Sequence, residues 1–74
     1  MEEREYTIIA YQDEDGGYWT DVPALPGTGS QGDTLDEAIE NTKEAIALMI
    51  GYLRDKGEPI PQPKAIVTKV TVAA

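Results

Sequence analysis

The stretch "DVPALPGTGSQGDTLDEAIE", Asp21 to Glu40, decides how this chain folds, because it hands a strand to a helix. Pro23 and Pro26 remove backbone donors and stop regular sheet pairing. Gly27 and Gly32 bracket room for a short third strand around Thr28 to Gln31. The pattern then changes. Thr34 followed by Glu37 fits a capping box, and Asp36 and Glu37 put negative charge at the positive end of a helix dipole. A proline- and glycine-rich segment in so small a domain is either a rigid connector or a contact surface, and both roles stay open at this point. From Asp21 to Gly32 it contains no His, Cys, Lys or Arg, so the usual side-chain chemistry is not its task.

Downstream, "DTLDEAIENTKEAIALMIGYLRDKG" reads as one long helix. Leu35, Ala38, Ile39, Thr42, Ala45, Ile46, Met49 and Leu53 fall at helical spacing and make one apolar stripe. Glu37, Glu40, Asn41, Lys43 and Glu44 face away from it. Leu48, Ile50 and Tyr52 widen the apolar surface towards the end. Gly51 costs about 1 kcal/mol relative to Ala in a helix interior, and either lets another backbone approach or is tolerated drift. Arg54 and Lys56 sit in the last turn and Gly57 supplies the stop.

Upstream, "EYTIIAYQ" and "YWTDV" are strands joined by "DEDGG", where Gly16 and Gly17 are able to take positive φ. They predict an antiparallel hairpin. After the helix, "EPIPQP" places prolines at 59, 61 and 63 and reads as a stiff, extended return. "KAIVTKVTV" then predicts a last strand, with Ile66, Thr68, Val70 and Val72 on one face and Val67, Lys69 and Thr71 on the other. The whole is an α+β fold: a small two-layer β-β-β-α-β unit, one helix packed on one face of a mainly antiparallel sheet of three or four strands. The opposite face has no helix to cover it. Its aromatic and branched side chains are expected to meet another protein.

The bulk properties agree with that expectation. Seventy-four residues make a single domain, 1–74, with a small core. With no Cys and no His, neither a disulfide nor an ordinary zinc site can brace it, which leaves self-association as a dimer or tetramer. A net charge of −8 repels phosphate and disfavours direct nucleic-acid binding, while it attracts a basic partner. No apolar run reaches membrane-spanning length and "MEEREY" is not a signal peptide, so a cytoplasmic location is expected, with no membrane contact.

Catalysis is not expected. The nucleophile–base pairing of hydrolases usually needs His. Asp13, Glu14, Asp15, Asp21 and Asp33 are the residues that would gather around Mg²⁺ in a nuclease, but Asp13–Asp15 suit a hairpin turn and Asp33 precedes a helix, where each has a local role. "GTGSQG" lacks the lysine and the preceding central strand of a phosphate loop. No cofactor, metal or catalytic residue is assigned.

Four pieces in order, "DGGYWTDVPALPG", "SQGDTLDEA", the long helix and "GEPIPQP", resemble the HicB-like antitoxins. The likeness is to their N-terminal domain, described as a partial ribonuclease H-like fold. It spans Tyr6 to about Val72 and is carried by Gly16, Gly17, Tyr18, Pro23, Leu25, Pro26, Gly27, Gly32, Asp33, Thr34, Glu37, Ala38 and Pro61. It implies a type II toxin–antitoxin role: binding a small basic HicA-like toxin that cleaves mRNA and masking its active site. The family often adds a C-terminal DNA-binding module. Here the chain stops at Ala74, so operon repression through such a module is not expected. Thr28 stands where many relatives carry Cys, which reads as a neutral packing change. Charge and aromatic enrichment nominate Asp13, Glu14, Asp15, Tyr18, Trp19, Asp21 and Leu25 as partner-binding residues. Leu25 is also a candidate core plug. The alternatives are an orphan, non-catalytic oligomer with a scaffold or regulatory role, and a small carboxylate-dependent nuclease.

Overall fold

The computed structural model of the chain describes residues 4–62 and 66–74. Its elements run β1 (Ile9–Gln12), β2 (Tyr18–Asp21), β3 (Gln31–Gly32) and α1 (Leu35–Asp55). The strands form an antiparallel sheet in the order β1-β2-β3. The helix lies across one face, chiefly over β2 and β3. This is the expected α+β architecture.

The first hairpin forms as the sequence predicts. Gln12 pairs with Tyr18, and the Asp13 N–H donates to the Gly17 carbonyl at 2.7 Å. The Gly16 N–H closes a turn onto the Asp13 carbonyl at 3.0 Å, with Gly16 at a φ of +96° that side chains resist. The first strand is shorter than "EYTIIAYQ" suggested. Its partner ends at Asp21, opposite Ile9, and beyond that point the Val22 N–H is committed to Thr28 and Pro23 has none to give.

The proline segment is two successive turns. The Leu25 N–H donates to the Val22 carbonyl and the Thr28 N–H to the Leu25 carbonyl, both at 3.0 Å. Each turn has proline in its second position, where a fixed φ is already correct. β3 itself covers only Gln31–Gly32, later than expected, yet pairing with β2 continues: Thr20 N–H to the Ser30 carbonyl at 2.8 Å and Val22 N–H to the Thr28 carbonyl at 3.1 Å. The chain therefore folds back on β2 immediately, and the connector role of the segment is structural.

The helix starts and stops where its residues dictate. The Thr34 side chain accepts from the Glu37 N–H at 3.1 Å. The Glu37 carboxylate accepts from the Asp33 N–H at 3.1 Å, one residue before the usual capping-box partner. At the other end Gly57, at a φ of +70°, donates to Arg54, and the Glu58 N–H reaches the Leu53 carbonyl at 2.9 Å. This pair of bonds is the Schellman arrangement.

The core is small and unusual. Val22, Leu25 and Ala38 are its buried apolar side chains among the described residues, beside the buried hydroxyls of Thr20, Thr28 and Thr42. Three of these groups form a chain that ties sheet to helix. The Ser30 N–H donates to Thr20 Oγ1 at 2.9 Å, Thr20 Oγ1 meets Thr42 Oγ1 at 2.6 Å, and Thr42 Oγ1 donates to the Ala38 carbonyl at 2.6 Å. Thr20 Oγ1 also lies 3.3 Å from the Ser30 carbonyl, so each hydroxyl has a backbone acceptor besides the other hydroxyl. Thr28 Oγ1, by contrast, is buried with no hydrogen-bond partner.

One expected element is absent. Ile66–Val72 carries no strand pairing, and Ile66 to Ala74 is exposed throughout. Alternation sets which faces a strand would have, but a strand exists only through a partner's hydrogen bonds. Lys64 and Ala65, the start of that predicted strand, and Pro63 lie outside the described residues.

Two stability predictions follow from the hydroxyls. Thr28→Val removes a buried, unpaired oxygen while keeping the shape, and should raise unfolding free energy by about 1 kcal/mol in urea denaturation. Thr20→Val and Thr42→Val should each cost about 1–2 kcal/mol, with the double variant costing less than their sum because both singles break the same bond.

Candidate functional site

Antiparallel pairing places Tyr18 opposite Gly32, so the end of β3 arrives beside the first hairpin turn. The helix N-terminus follows directly. Gly32 makes this approach possible: a Cβ there would lie 2.5 Å from the Ala38 nitrogen and 2.9 Å from the Glu37 carbonyl carbon. The backbone of α1 thus rests on a residue that has no side chain to hold it off.

The consequence is an acidic cleft of about 480 Å³ between hairpin and helix. Asp13, Asp15, Asp33 and Glu37 line it, with Tyr18, Ser30, Gln31 and Asn41, and among the described residues no Lys or Arg does. Local bonds hold the walls. Asp15 Oδ1 accepts from the Gly17 N–H at 3.1 Å, and Asn41 Nδ2 donates to the Gln31 carbonyl at 2.8 Å. Four carboxylates facing one space create a negative potential that attracts a cationic side chain. Among the described residues no group of three or more His, Cys, Asp or Glu is placed to hold a metal ion.

The sequence-nominated residues divide between surfaces. Asp13, Asp15 and Tyr18 meet in the cleft. Glu14 is exposed in the turn beside it. Trp19 and Asp21 alternate to the sheet face that α1 does not cover. There Trp19 stacks on Tyr11 across the β1–β2 ladder, with ring centroids 4.2 Å apart and planes 17° apart. The two rings are 43% and 42% exposed. Leu25 is a correction. It is only 3% exposed, held in the core by the paired turns, so it offers no surface to a partner.

Asp33, Glu37, Asn41, Ser30 and Gln31 are not among the partner-binding residues that the sequence nominates, although Asp33 is weighed there as a Mg²⁺ ligand. Asp33 and Glu37 had already been explained by helix capping, and a residue with a local role hides a second one. The signal was available in Gly32, whose small size before a helix start marks a close approach of backbone.

A family profile described as "HicB_like antitoxin of bacterial toxin-antitoxin system" matches residues 6–73. The chain belongs to the HicB-like antitoxin family. Among its relatives is a UPF0150 protein of Thermoplasma acidophilum, 48% identical over 69 residues, covering 93% of this chain and 97% of that one. A protein named "Antitoxin HicB 1" from Photorhabdus laumondii is 33% identical over 58 residues, 78% of this chain but 37% of its own length. In three dimensions the chain is similar to the N-terminal domain of Burkholderia pseudomallei antitoxin HicB, with a TM-score of 0.69 and 35% identity over 89% of this chain and 72% of that one. Membership of an antitoxin family implies a toxin as partner. No helix among the described residues is long and apolar enough to cross a membrane.

Gly32→Ala tests how the cleft is built. Added bulk against the helix backbone should cost about 2–3 kcal/mol or more by thermal unfolding, with no relief from side-chain movement.

Proposed function

We propose that this protein is the antitoxin of a type II pair and neutralises a small basic HicA-like mRNA-cleaving toxin by occupying the surface its RNA substrate needs. The observation that carries this is the acidic cleft, which joins Asp13, Asp15, Asp33 and Glu37 from separate elements in a family of antitoxins. A toxin that cleaves RNA presents cations to phosphate. A groove of carboxylates competes for those cations, speeds encounter and, once docked, excludes RNA sterically. Glu14 adds to the same field, and Tyr18 offers an aromatic edge in the cleft. The protein takes no chemical step in this reading: it acts in the cytosol as a non-catalytic binding module without a cofactor.

Trp19 and Asp21 lie on the open sheet face, which the stacked Tyr11–Trp19 pair suits to protein contact. That face supports self-association as a dimer or tetramer, and it favours the second reading, an oligomer with a regulatory or scaffold role, should no toxin be bound.

Co-expression with a small basic HicA-like protein tests the proposal. This chain should restore growth arrested by the toxin and bind it by calorimetry, with affinity falling as salt rises. Asp13→Lys combined with Asp33→Asn should weaken binding at least about tenfold, mostly by slowing association, and flatten the salt dependence. Unchanged affinity in that variant would remove the cleft from the interface, and growth arrest that persists despite soluble antitoxin would overturn the function.

A further inference from the structure

The seam between α1 and the chain that leads into β3 continues past the acidic cleft. Ser30 to Asp33 wall the cleft on one side, and Glu37 and Asn41 on the other. Next along the same seam come Gly27, Thr28 and Gly29, which share a space of about 300 Å³ with Ala45, Leu48, Met49 and Tyr52. The run 27–33 is unbroken on its side. On the helix, Glu37, Asn41, Ala45, Leu48 and Tyr52 follow at intervals of three or four, which is a single line along an α-helix. At about 1.5 Å of rise per residue that line is about 22 Å long. The acidic cleft is therefore the first half of a longer groove.

The two halves differ in chemistry. Carboxylates gather at the helix N-terminus. The second half is apolar and open, with Leu48 76% and Tyr52 56% exposed. At its far end the Lys56 ammonium stands 5.7 Å from the centre of the Tyr52 ring, so charge along the groove runs from negative to positive. Gly29 lets the wall lie directly on β2, since a Cβ there would strike the Thr20 carbonyl. Thr28 stands in the same wall, and its hydroxyl is buried without a hydrogen-bond partner. Folding alone does not account for such a group.

We infer that this groove takes one continuous segment of the partner toxin, which places a cationic side chain in the acidic half and an apolar side chain against Leu48, Met49 and Tyr52. The inference rests on the antitoxin reading and adds to it the chemistry and direction of the docked segment. Charge complementarity selects the occupant. A second copy of this chain would bring 14 acidic residues against 6 basic ones to the carboxylates, and a basic protein brings the opposite balance. Lys56 directs the segment's cation to the end where Asp13 and Asp33 lie. The halves act at different stages: attraction to carboxylates reaches through solvent and sets the rate of encounter, while apolar contact forms only on docking and sets the lifetime of the complex. A polar group of the seated segment completes the Thr28 hydroxyl.

Leu48→Gln together with Tyr52→Gln removes apolar surface that is exposed in the free protein and keeps good helix formers, so helical circular dichroism should be unchanged. Against a small basic HicA-like toxin in surface plasmon resonance, this variant should dissociate at least about tenfold faster, with the association rate and salt dependence of the wild type. Titrating that toxin into ¹⁵N-labelled chain should shift the amides of residues 27–33 together with those of Ala45, Leu48 and Tyr52. Thr28→Val, though more stable alone, should bind about threefold more weakly. Toxin binding that leaves the Leu48 and Tyr52 amides unmoved, a double variant that dissociates like wild type, or a Thr28→Val chain that binds no more weakly would each overturn the inference and leave the antitoxin reading standing. A double variant that loses self-association in sedimentation while keeping its toxin affinity would put a second copy in the groove and overturn it too. Absence of toxin binding by the wild-type chain would overturn both readings.

Discussion

The hydroxyl chain from Ser30 through Thr20 and Thr42 to Ala38 is the constraint on which this small structure depends. It crosses the boundary between layers at a place where most domains put large apolar side chains. Thr20 is a strand residue and Thr42 lies on the buried face of α1, so their 2.6 Å contact fixes both the height and the rotation of α1 over the sheet. Burial makes the geometry exacting, since a buried hydroxyl without its partner loses its hydrogen bonds to water and gains nothing in return. Thr28 shows that cost a short distance away, where the same side chain is buried and unpaired. With few apolar groups buried, directional bonds supply the specificity that packing volume supplies in larger cores.

Seating the helix this way distributes the molecule's chemistry over distinct surfaces. The helix N-terminus, brought down on Gly32, closes an acidic cleft with the hairpin turn. The sheet face away from α1 keeps its Tyr11–Trp19 stack in solvent. The flank beside β1, where α1 leaves the sheet less covered, is basic at its rim and apolar below. Charge that sums to −8 over the chain is thus far from uniform. Acidic and basic side chains thus mark different sides of the protomer.

The candidate site was legible in part. Asp13, Asp15 and Tyr18 were identifiable because charge and aromatic side chains concentrate around one turn. Asp33 and Glu37 read as residues of a helix start, since their distance from the turn along the chain conceals a proximity made by the Tyr18–Gly32 pairing. Leu25 was ambiguous between core and interface. The two proline turns decide it by pulling the side chain inward, and turns of that kind are readable as turns without revealing which way the residue between them points.

By itself, the order of residues determined the local events: the hairpin at Asp15-Gly16, the stops at Pro23 and Pro26, the cap at Thr34, the glycine end at Gly57 and the α+β class that these imply. Each depends on neighbours a few positions apart, so dihedral preference and capping bonds suffice. Only the tertiary structure decided that Thr20 meets Thr42, that four carboxylates share a cleft, and that Ile66–Val72 stands unpaired. A strand is a property of two segments, and alternation of Ile and Val records a face that seeks burial without saying which chain supplies it.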